Sequence, residues 1–223
     1  MMKFQHGVYK FQQTMDKFKH DIERITREFE TLISRRLPVA AGKIAKQHFQ
    51  DNFRQGGFVD GGLHPWPPAK RLSSGMQGAA ARYRTLMSSR QHLFSAIGYT
   101  PGMAKVTVFN DVVYASIHND GGTLHPRITP KMRRYAWAKY YELGGGAKGS
   151  QRGRKPPGKG NSSGAPPEAT SAEAEKWKRL ALTKKSTLTV NIPKRQFMGP
   201  SVELDAKIAE YAEKEILRII NQL

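Results

Sequence analysis

The chain has 223 residues, of which 38% are hydrophobic, and carries 37 Lys and Arg against 18 Asp and Glu, a formal net charge of +19. The apolar fraction is enough to bury one hydrophobic core, and we expect a single domain over residues 1–223. The chain contains no cysteine, which excludes disulfides and thiolate metal sites. The charge excess predicts an anionic partner, either nucleic acid or an acidic protein surface.

The sequence shows no sign of membrane insertion or export. No apolar run approaches the ~20 residues that span a bilayer, and the start, "MMKFQHGVYKF", lacks the apolar centre of a signal peptide. We therefore expect no contact with a membrane and a protein that stays where it is made.

A helical pattern occupies the first part of the chain. Its charged residues are of both signs, which suits a solvated outer face. Such a stripe packs more often on the protein's own core, although a narrow seam on a long helix also joins subunits. We predict an N-terminal helical segment over residues 1–36. The apolar residues alternate at spacings of four and three and are Phe11, Met15, Phe18, Ile22, Ile25, Phe29 and Leu32.

A second helix is expected from about Pro38 to Phe53. Proline lacks a backbone donor but suits the first helical turn, which predicts a break near Arg36. His48 lies on the apolar side of this helix, where we expect a half-buried packing residue. Residues 55–78 are rich in Gly and Pro, and Phe58 and Trp66 indicate an ordered loop.

The middle and end of the chain predict strands and a final helix. Strands are expected near residues 95–100 and over 105–115, the latter as a hairpin with Asn110-Asp111 at its turn, and again at 186–192. The end of the chain has the pattern of an amphipathic helix. The predicted fold class is α+β: an antiparallel sheet of about four strands, packed by the long N-terminal helices and the C-terminal helix.

A strongly basic segment interrupts this fold. Residues 127–160 hold ten Lys or Arg and one acid, Glu142. "PKMRRYAWAKYY" predicts a short amphipathic helix, whereas the Gly, Pro and Ser that follow lack an apolar anchor. We predict a basic insertion over 127–186 with a mobile loop at about 144–170. Its Arg, Lys, Tyr and Trp are types that bind phosphates and stack on bases, and they are also enriched at protein interfaces.

The stretch "VYASIHNDGGTLHP", residues 113–126, contains the residue types of a metal site or nuclease. A nuclease of this type needs a general base and two or three further metal ligands, and the other histidines are scattered singly. We predict no catalytic, cofactor or metal residue. The favoured interpretation is a structural turn, with positive φ at the glycines and a histidine that bonds to backbone, formed by His118, Asn119, Gly121 and Gly122.

The stretch "IPKRQFMGPS", residues 192–201, predicts a strand end. Phe197 and Met198 are expected to be buried, and Lys194 and Arg195 to face outward, either to pair with acid on a neighbour or as a solvated edge. The predicted interaction surface consists of Arg133, Arg134, Lys139, Arg152, Arg154, Lys155, Lys194 and Arg195.

Several stretches in a fixed order carry a resemblance. They are "NFRQGGF", Pro65-Trp66, "TLMSSRQHLFSAI", "VVYASIHNDGGT", "PKMRRYAWAKYY", "WKRLALTKK" and "IPKRQFMGPS". From about Pro38 to the C-terminus the chain resembles the phage virion morphogenesis family, whose members are tail-completion or head-tail-joining proteins akin to that of phage Mu. Residues that match the family pattern are Tyr114, Ala115, Ile117, His118, Gly121 and Gly122, then Ile192, Pro193, Arg195, Phe197 and Gly199. The excursion at 144–170 departs from that pattern.

The resemblance implies a structural protein of a tailed bacteriophage or prophage, without catalytic site or cofactor. It implies a place in the virion, at the head-tail junction or tail end, after synthesis in the bacterial host cytoplasm. The implied partners are other neck and tail proteins and further copies of the chain in a homo-oligomeric ring. The residues leave open a nonspecific DNA-binding protein that uses the basic insertion and, less favoured, a metal-dependent nuclease.

Overall fold

The structure is a computed structural model that describes residues 2–72, 82–143 and 170–221, with side chains except at 2–10, 170 and 171. It mixes helices with short strand pairs, so the α+β class is confirmed. The helices are α1 (Met2–Thr31), α2 (Leu37–Gln55), α3 (His92–Ser95), α4 (Ala115–Asp120), α5 (Pro130–Glu142), α6 (Thr170–Leu182) and α7 (Val202–Ile220). The strands are β1 (Gly57–Val59), β2 (Leu63–Pro65), β3 (Ile97–Gly102), β4 (Lys105–Asn110), β5 (Gly122–Leu124) and β6 (Val190–Ile192). Within the described ranges, no helix is both long and apolar enough to cross a membrane.

Contacts divide the chain into two compact units. The first contains Met1–Gly122 and Ile192–Leu223, and the second contains Thr123–Asn191. The predicted basic insertion, 127–186, falls inside the second unit. Most of the predicted mobile loop lies outside the described residues, as do Arg152, Arg154 and Lys155.

The predicted break near Arg36 is wrong. The backbone passes from α1 through a π-helical segment, Leu32–Arg36, directly into α2. Pro38 sits in the first turn of α2, where its missing N–H removes no helical hydrogen bond. The wider π turn therefore joins two helices that we expected to be separate.

The predicted single sheet of about four strands is also wrong. The described strands form three separate pairs: β1 with β2, β3 with β4, and β5 with β6. The hairpin joins β3 to β4 at residues 103–104 instead of at Asn110-Asp111, the predicted strand after that turn is not formed at 111–115, and residues 115–120 form α4. The Asn110 side chain donates to the Leu93 carbonyl (2.7 Å) and accepts from the Val112 N–H (3.2 Å). These bonds form a side-chain turn at Asn110, where β4 ends and pairing stops.

The core of the first unit forms around α2. Its members are Ala45, Phe49, Phe53, Phe58, Trp66, Leu93, Ile97, Ala115, Phe197 and Leu204. Phe58 and Trp66 are buried, as expected for an ordered segment, but the predicted loop contains the strand pair β1 and β2. The predicted loop residues 73–78 lie outside the described ranges. His48, expected to be half-buried, is only 3% exposed. The ring of Tyr99 lies so close to Gly42 that a Cβ there would be 2.2 Å from it, so glycine allows β3 to approach α2.

The second unit is built on the pair α5 and α6. The Thr129 hydroxyl accepts the Met132 N–H (3.2 Å) and caps the start of α5. Ala136 and Ala174 are buried, and small side chains of this kind allow close packing of helices. Tyr135 and Trp177 meet edge to face at 5.7 Å between ring centroids, which joins the two helices.

Candidate functional site

Segment 193–199, which contains "PKRQFMG", is held in the first unit by polar side chains from two other elements. The Asn52 amide of α2 donates to the Phe197 carbonyl (3.1 Å), and its oxygen accepts the Val59 N–H (3.2 Å). The Trp66 indole N–H donates to the Gln196 carbonyl (2.6 Å). Asn52 is fully buried, and its bond to the Phe197 carbonyl satisfies a buried backbone group.

The predicted turn contacts the same segment from the other side. The Asn119 side-chain oxygen accepts the N–H groups of Phe197 (2.9 Å) and Met198 (3.0 Å). Gly121 and Gly122 have φ of 74° and 145°, and a Cβ on Gly121 would lie 2.7 Å from the Lys194 nitrogen. Two stretches of the predicted site, distant in sequence, therefore bind each other through backbone groups.

His118 acts in this turn through its main chain. Its carbonyl accepts the Arg195 N–H (2.8 Å), whereas its ring Nδ1 is buried without a hydrogen-bond partner among the described residues. The ring meets Tyr114 edge to face at 5.8 Å. Burial, followed by the nearby charge of Arg195, lowers the pKa of His118 below its ordinary value of 6.5. The ring is therefore favoured in its neutral form.

Arg195 does not face outward as we expected. It is 7% exposed, and its guanidinium donates to the carbonyls of Pro67 (2.8 Å) and Pro68 (3.2 Å). Burial, followed by repulsion from Arg71, lowers the pKa of Arg195 below its ordinary value. Two successive prolines present carbonyls that a guanidinium fork can reach, and this fixes Arg195 inside the unit. Its neighbour Lys194 is exposed, as predicted.

Of the residues predicted to form the basic surface of the second unit, some bind other groups of the protein and others are exposed. Arg133 donates to the carbonyls of Ala181 (3.2 Å), Thr183 and Lys185 (3.4 Å), so it covers the C-terminal end of α6. Lys139 is held by Glu142 at 2.7 Å, and this hydrogen bond is the main cause of its raised pKa. Arg134 is exposed.

Residues 11–22 of α1 expose large apolar side chains. Phe11 is 67% exposed, Met15 50%, Phe18 61% and Ile22 48%, whereas Leu32 at the end of the same stripe is 2% exposed. We call the four exposed residues the α1 stripe. The heptad spacing indicated a helix but left open whether it packs on the core or on a partner. The structure leaves the α1 stripe exposed and buries Leu32, which continues the same spacing.

The sequence reasoning did not find Asn52, Trp66 and Asn119 as the side chains that bind segment 193–199. A lone Asn among the apolar positions of α2 was the available signal, since buried amides require partners. In the described parts of the chain, no group of three or more His, Asp or Glu side chains is placed to hold a metal ion. Comparisons with protein-family models, with curated proteins and with solved structures found no match for this chain.

Proposed function

We propose that this chain is a structural virion morphogenesis protein of a tailed bacteriophage or prophage, which acts in tail completion or head-tail joining through protein-protein contacts. The observation that carries the proposal is the α1 stripe, since four large apolar side chains are left on the surface. Surface of this kind is typical of proteins whose function is association with other chains. The ordered set of motifs from "NFRQGGF" to "IPKRQFMGPS" supplies the phage setting.

The contacts of the turn at His118 and of segment 193–199 also support an architectural role. The turn at His118 and segment 193–199 use their polar groups on each other's backbone and on buried neighbours. Their residues then maintain the fold that presents the outer surface. In this proposal the partners are other neck or tail proteins and further copies of the chain in a ring, at the head-tail junction or tail end of the virion.

The test is removal of the polypeptide from the phage or prophage that encodes it. An early stop codon in its gene should reduce infectious titre by several orders of magnitude, and electron microscopy should show separate heads and tails. Supply of the wild-type gene in trans controls for effects on downstream genes. Full titre from the mutant without the supplied gene would overturn the proposal.

A second candidate, nonspecific DNA binding, is favoured by one face of α5. Lys131, Arg134 and Tyr141 are all exposed, and their spacings of three and seven residues place them on one side of the helix. Lys and Arg neutralise the phosphates of DNA, and an aromatic ring beside them stacks on a base.

A gel shift with random duplex DNA tests this candidate. Binding at low salt should disappear above a few hundred millimolar salt, and Arg134→Glu should weaken it more than Lys17→Glu, the same charge change on an exposed residue of α1. Unchanged duplex mobility at low salt would reject the candidate.

A further inference from the structure

The α1 stripe lies on a long helix that the protein covers only toward one end. Thirty helical residues extend about 45 Å. The exposed fraction is 67% at Phe11, 48% at Ile22 and 2% at Leu32. Helix α1 also packs against α7. Residues 11–22 thus carry four large apolar side chains that the described part of the chain leaves half to two thirds exposed.

The spacing of the stripe is that of a coiled-coil seam. Phe11 and Phe18 take one apolar position of the heptad, and Met15 and Ile22 take the other. A seam with this period matches a second seam of the same period, since each side chain inserts between four residues of the facing helix. The surface is therefore complementary to another copy of itself.

The charges of α1 favour a second copy over an anionic partner. Residues 2–31 contain six Lys and Arg against five Asp and Glu, in a chain with 37 against 18. An acidic protein or a nucleic acid would be attracted to the basic remainder of the chain. Two copies of this protein, each strongly cationic, repel least along the segment that is nearly neutral.

The residues beside the stripe do not oppose self-pairing. They are Gln12, Thr14, Lys19 and Asp21. In a parallel pair in register, Lys19 lies opposite Thr14, and in an antiparallel pair centred on the stripe Lys19 lies opposite Gln12 and Asp21 opposite Thr14. Both arrangements avoid like charges across the interface.

The area of the α1 stripe approaches the size that a specific interface needs. Four side chains half to two thirds exposed present on the order of 400 Å² per helix, taking about 200 Å² for a large apolar side chain. Two copies then bury about 800 Å² before flanking contacts, against the ~1,000 Å² that separates specific interfaces from chance contacts. The stripe alone thus supplies most of that area, and the flanking contacts supply the remainder.

We infer that residues 11–22 of α1 form a self-association interface, in which the α1 stripe packs against the α1 stripe of a second copy as a coiled coil. This inference rests on the proposed assembly role, for which it names one partner and the surface that binds it.

The test compares two variants of the full chain by sedimentation equilibrium from 1 to 100 µM. Phe11→Glu with Phe18→Glu places two carboxylates in the seam and should raise the dissociation constant at least tenfold. Gln13→Glu with His20→Glu adds the same two carboxylates on the opposite, exposed face of α1 and should change it less than twofold. Fluorescence of the buried Trp66, in a background with Trp137→Phe and Trp177→Phe, reports whether each variant keeps the fold of the first unit.

Salt supplies a second readout. Screening weakens repulsion between two cationic chains and leaves apolar burial in place, so the wild-type dissociation constant should fall as salt rises from 50 to 500 mM. A wild-type monomer at 100 µM in 500 mM salt would overturn the inference. Equal association of the two double variants, both with native Trp66 fluorescence, would also overturn it.

The test separates this inference from the assembly role. Association through the stripe in a protein whose loss leaves phage titre unchanged would overturn the assembly role and support the interface. A monomer whose loss abolishes particle joining would overturn the interface and support the assembly role.

Discussion

Helix α1 and segment 193–199 both carry large apolar side chains, and the protein treats them in opposite ways. Phe18 of α1 is 61% exposed in a regular helix with a strong heptad pattern. Phe197 is 1% exposed in a stretch without regular structure. The segment is buried because Asn52, Trp66 and Asn119 satisfy its backbone groups. Helix α1 satisfies its backbone within the helix, and the α1 stripe is left exposed. Whether an apolar side chain is buried therefore depends on partners elsewhere in the folded chain and not on how regular the local apolar pattern is.

Truncation of one phenylalanine in each region gives the largest expected contrast. Phe197→Ala should lower the free energy of unfolding by about 3–5 kcal/mol because it opens a cavity against Phe53, whose ring centroid lies 5.1 Å away. Phe18→Ala should change it by less than ~0.5 kcal/mol in the monomer. Urea denaturation at low micromolar concentration measures both, and equal losses would contradict the comparison.

The polar support of segment 193–199 should be the next most sensitive feature. Asn52→Ala removes the partners of the Phe197 carbonyl and the Val59 N–H and should cost about 2–3 kcal/mol, since both groups lose a hydrogen bond inside the protein. Gln47→Ala, on an exposed position of the same helix, should change stability by less than ~0.5 kcal/mol. Similar urea midpoints for the two variants would show that the amide bonds contribute little.

Two glycines test how closely the turn approaches the segment. Gly121 and Gly61 have φ of 74° and 63°, but a Cβ on Gly121 meets the Lys194 backbone at 2.7 Å, whereas a Cβ on Gly61 meets nothing within 4 Å. Gly61→Ala should cost about 1 kcal/mol from the backbone conformation alone, and Gly121→Ala about 2–3 kcal/mol. The difference in thermal midpoint isolates the contact with segment 193–199, and its absence would mean that the contact adds no constraint.

The smallest expected effect is a pH dependence. Burial, followed by Arg195, lowers the pKa of His118, so the unfolded chain takes up this proton first as pH falls. Above about pH 6.5 the ring is neutral in both the folded and the unfolded chain, and the free energy of unfolding does not depend on this group. Below that pH the unfolded chain binds the proton more readily, so the free energy of unfolding decreases until the pH reaches the folded-state pKa. The free energy of unfolding should therefore decline from pH 7.5 to 5.5, and His118→Leu should reduce that slope while it keeps the carbonyl that binds Arg195. An identical slope in the variant would contradict this assignment.

Much of the helical part of the fold followed from local patterns. Apolar periodicity predicted α1, α2 and α7, and the amphipathic pattern of "PKMRRYAWAKYY" predicted α5. Strand pairing was predicted less well, because pairing partners are chosen by contacts between distant residues. Asn110 illustrates this: its bond to the Leu93 carbonyl places the end of β4, and the sequence around it does not show that partner.

The candidate site divides in the same way. Glycine at 121 and 122 predicted positive φ, because that preference belongs to the residue itself. The orientation of Arg195 was predicted wrongly, because an arginine is buried only where carbonyls such as those of Pro67 and Pro68 meet it, and these lie more than a hundred residues away.

The sequence alone determined the charge excess, the heptad of α1, the helical segments and the glycine turn, since each depends on residue type or short-range spacing. Only the tertiary structure decided that segment 193–199 is buried, that Arg133 and Arg195 bind backbone carbonyls, and that the α1 stripe is left exposed. These outcomes depend on which distant groups meet, and hydrogen-bond partners and apolar neighbours are supplied by the folded chain.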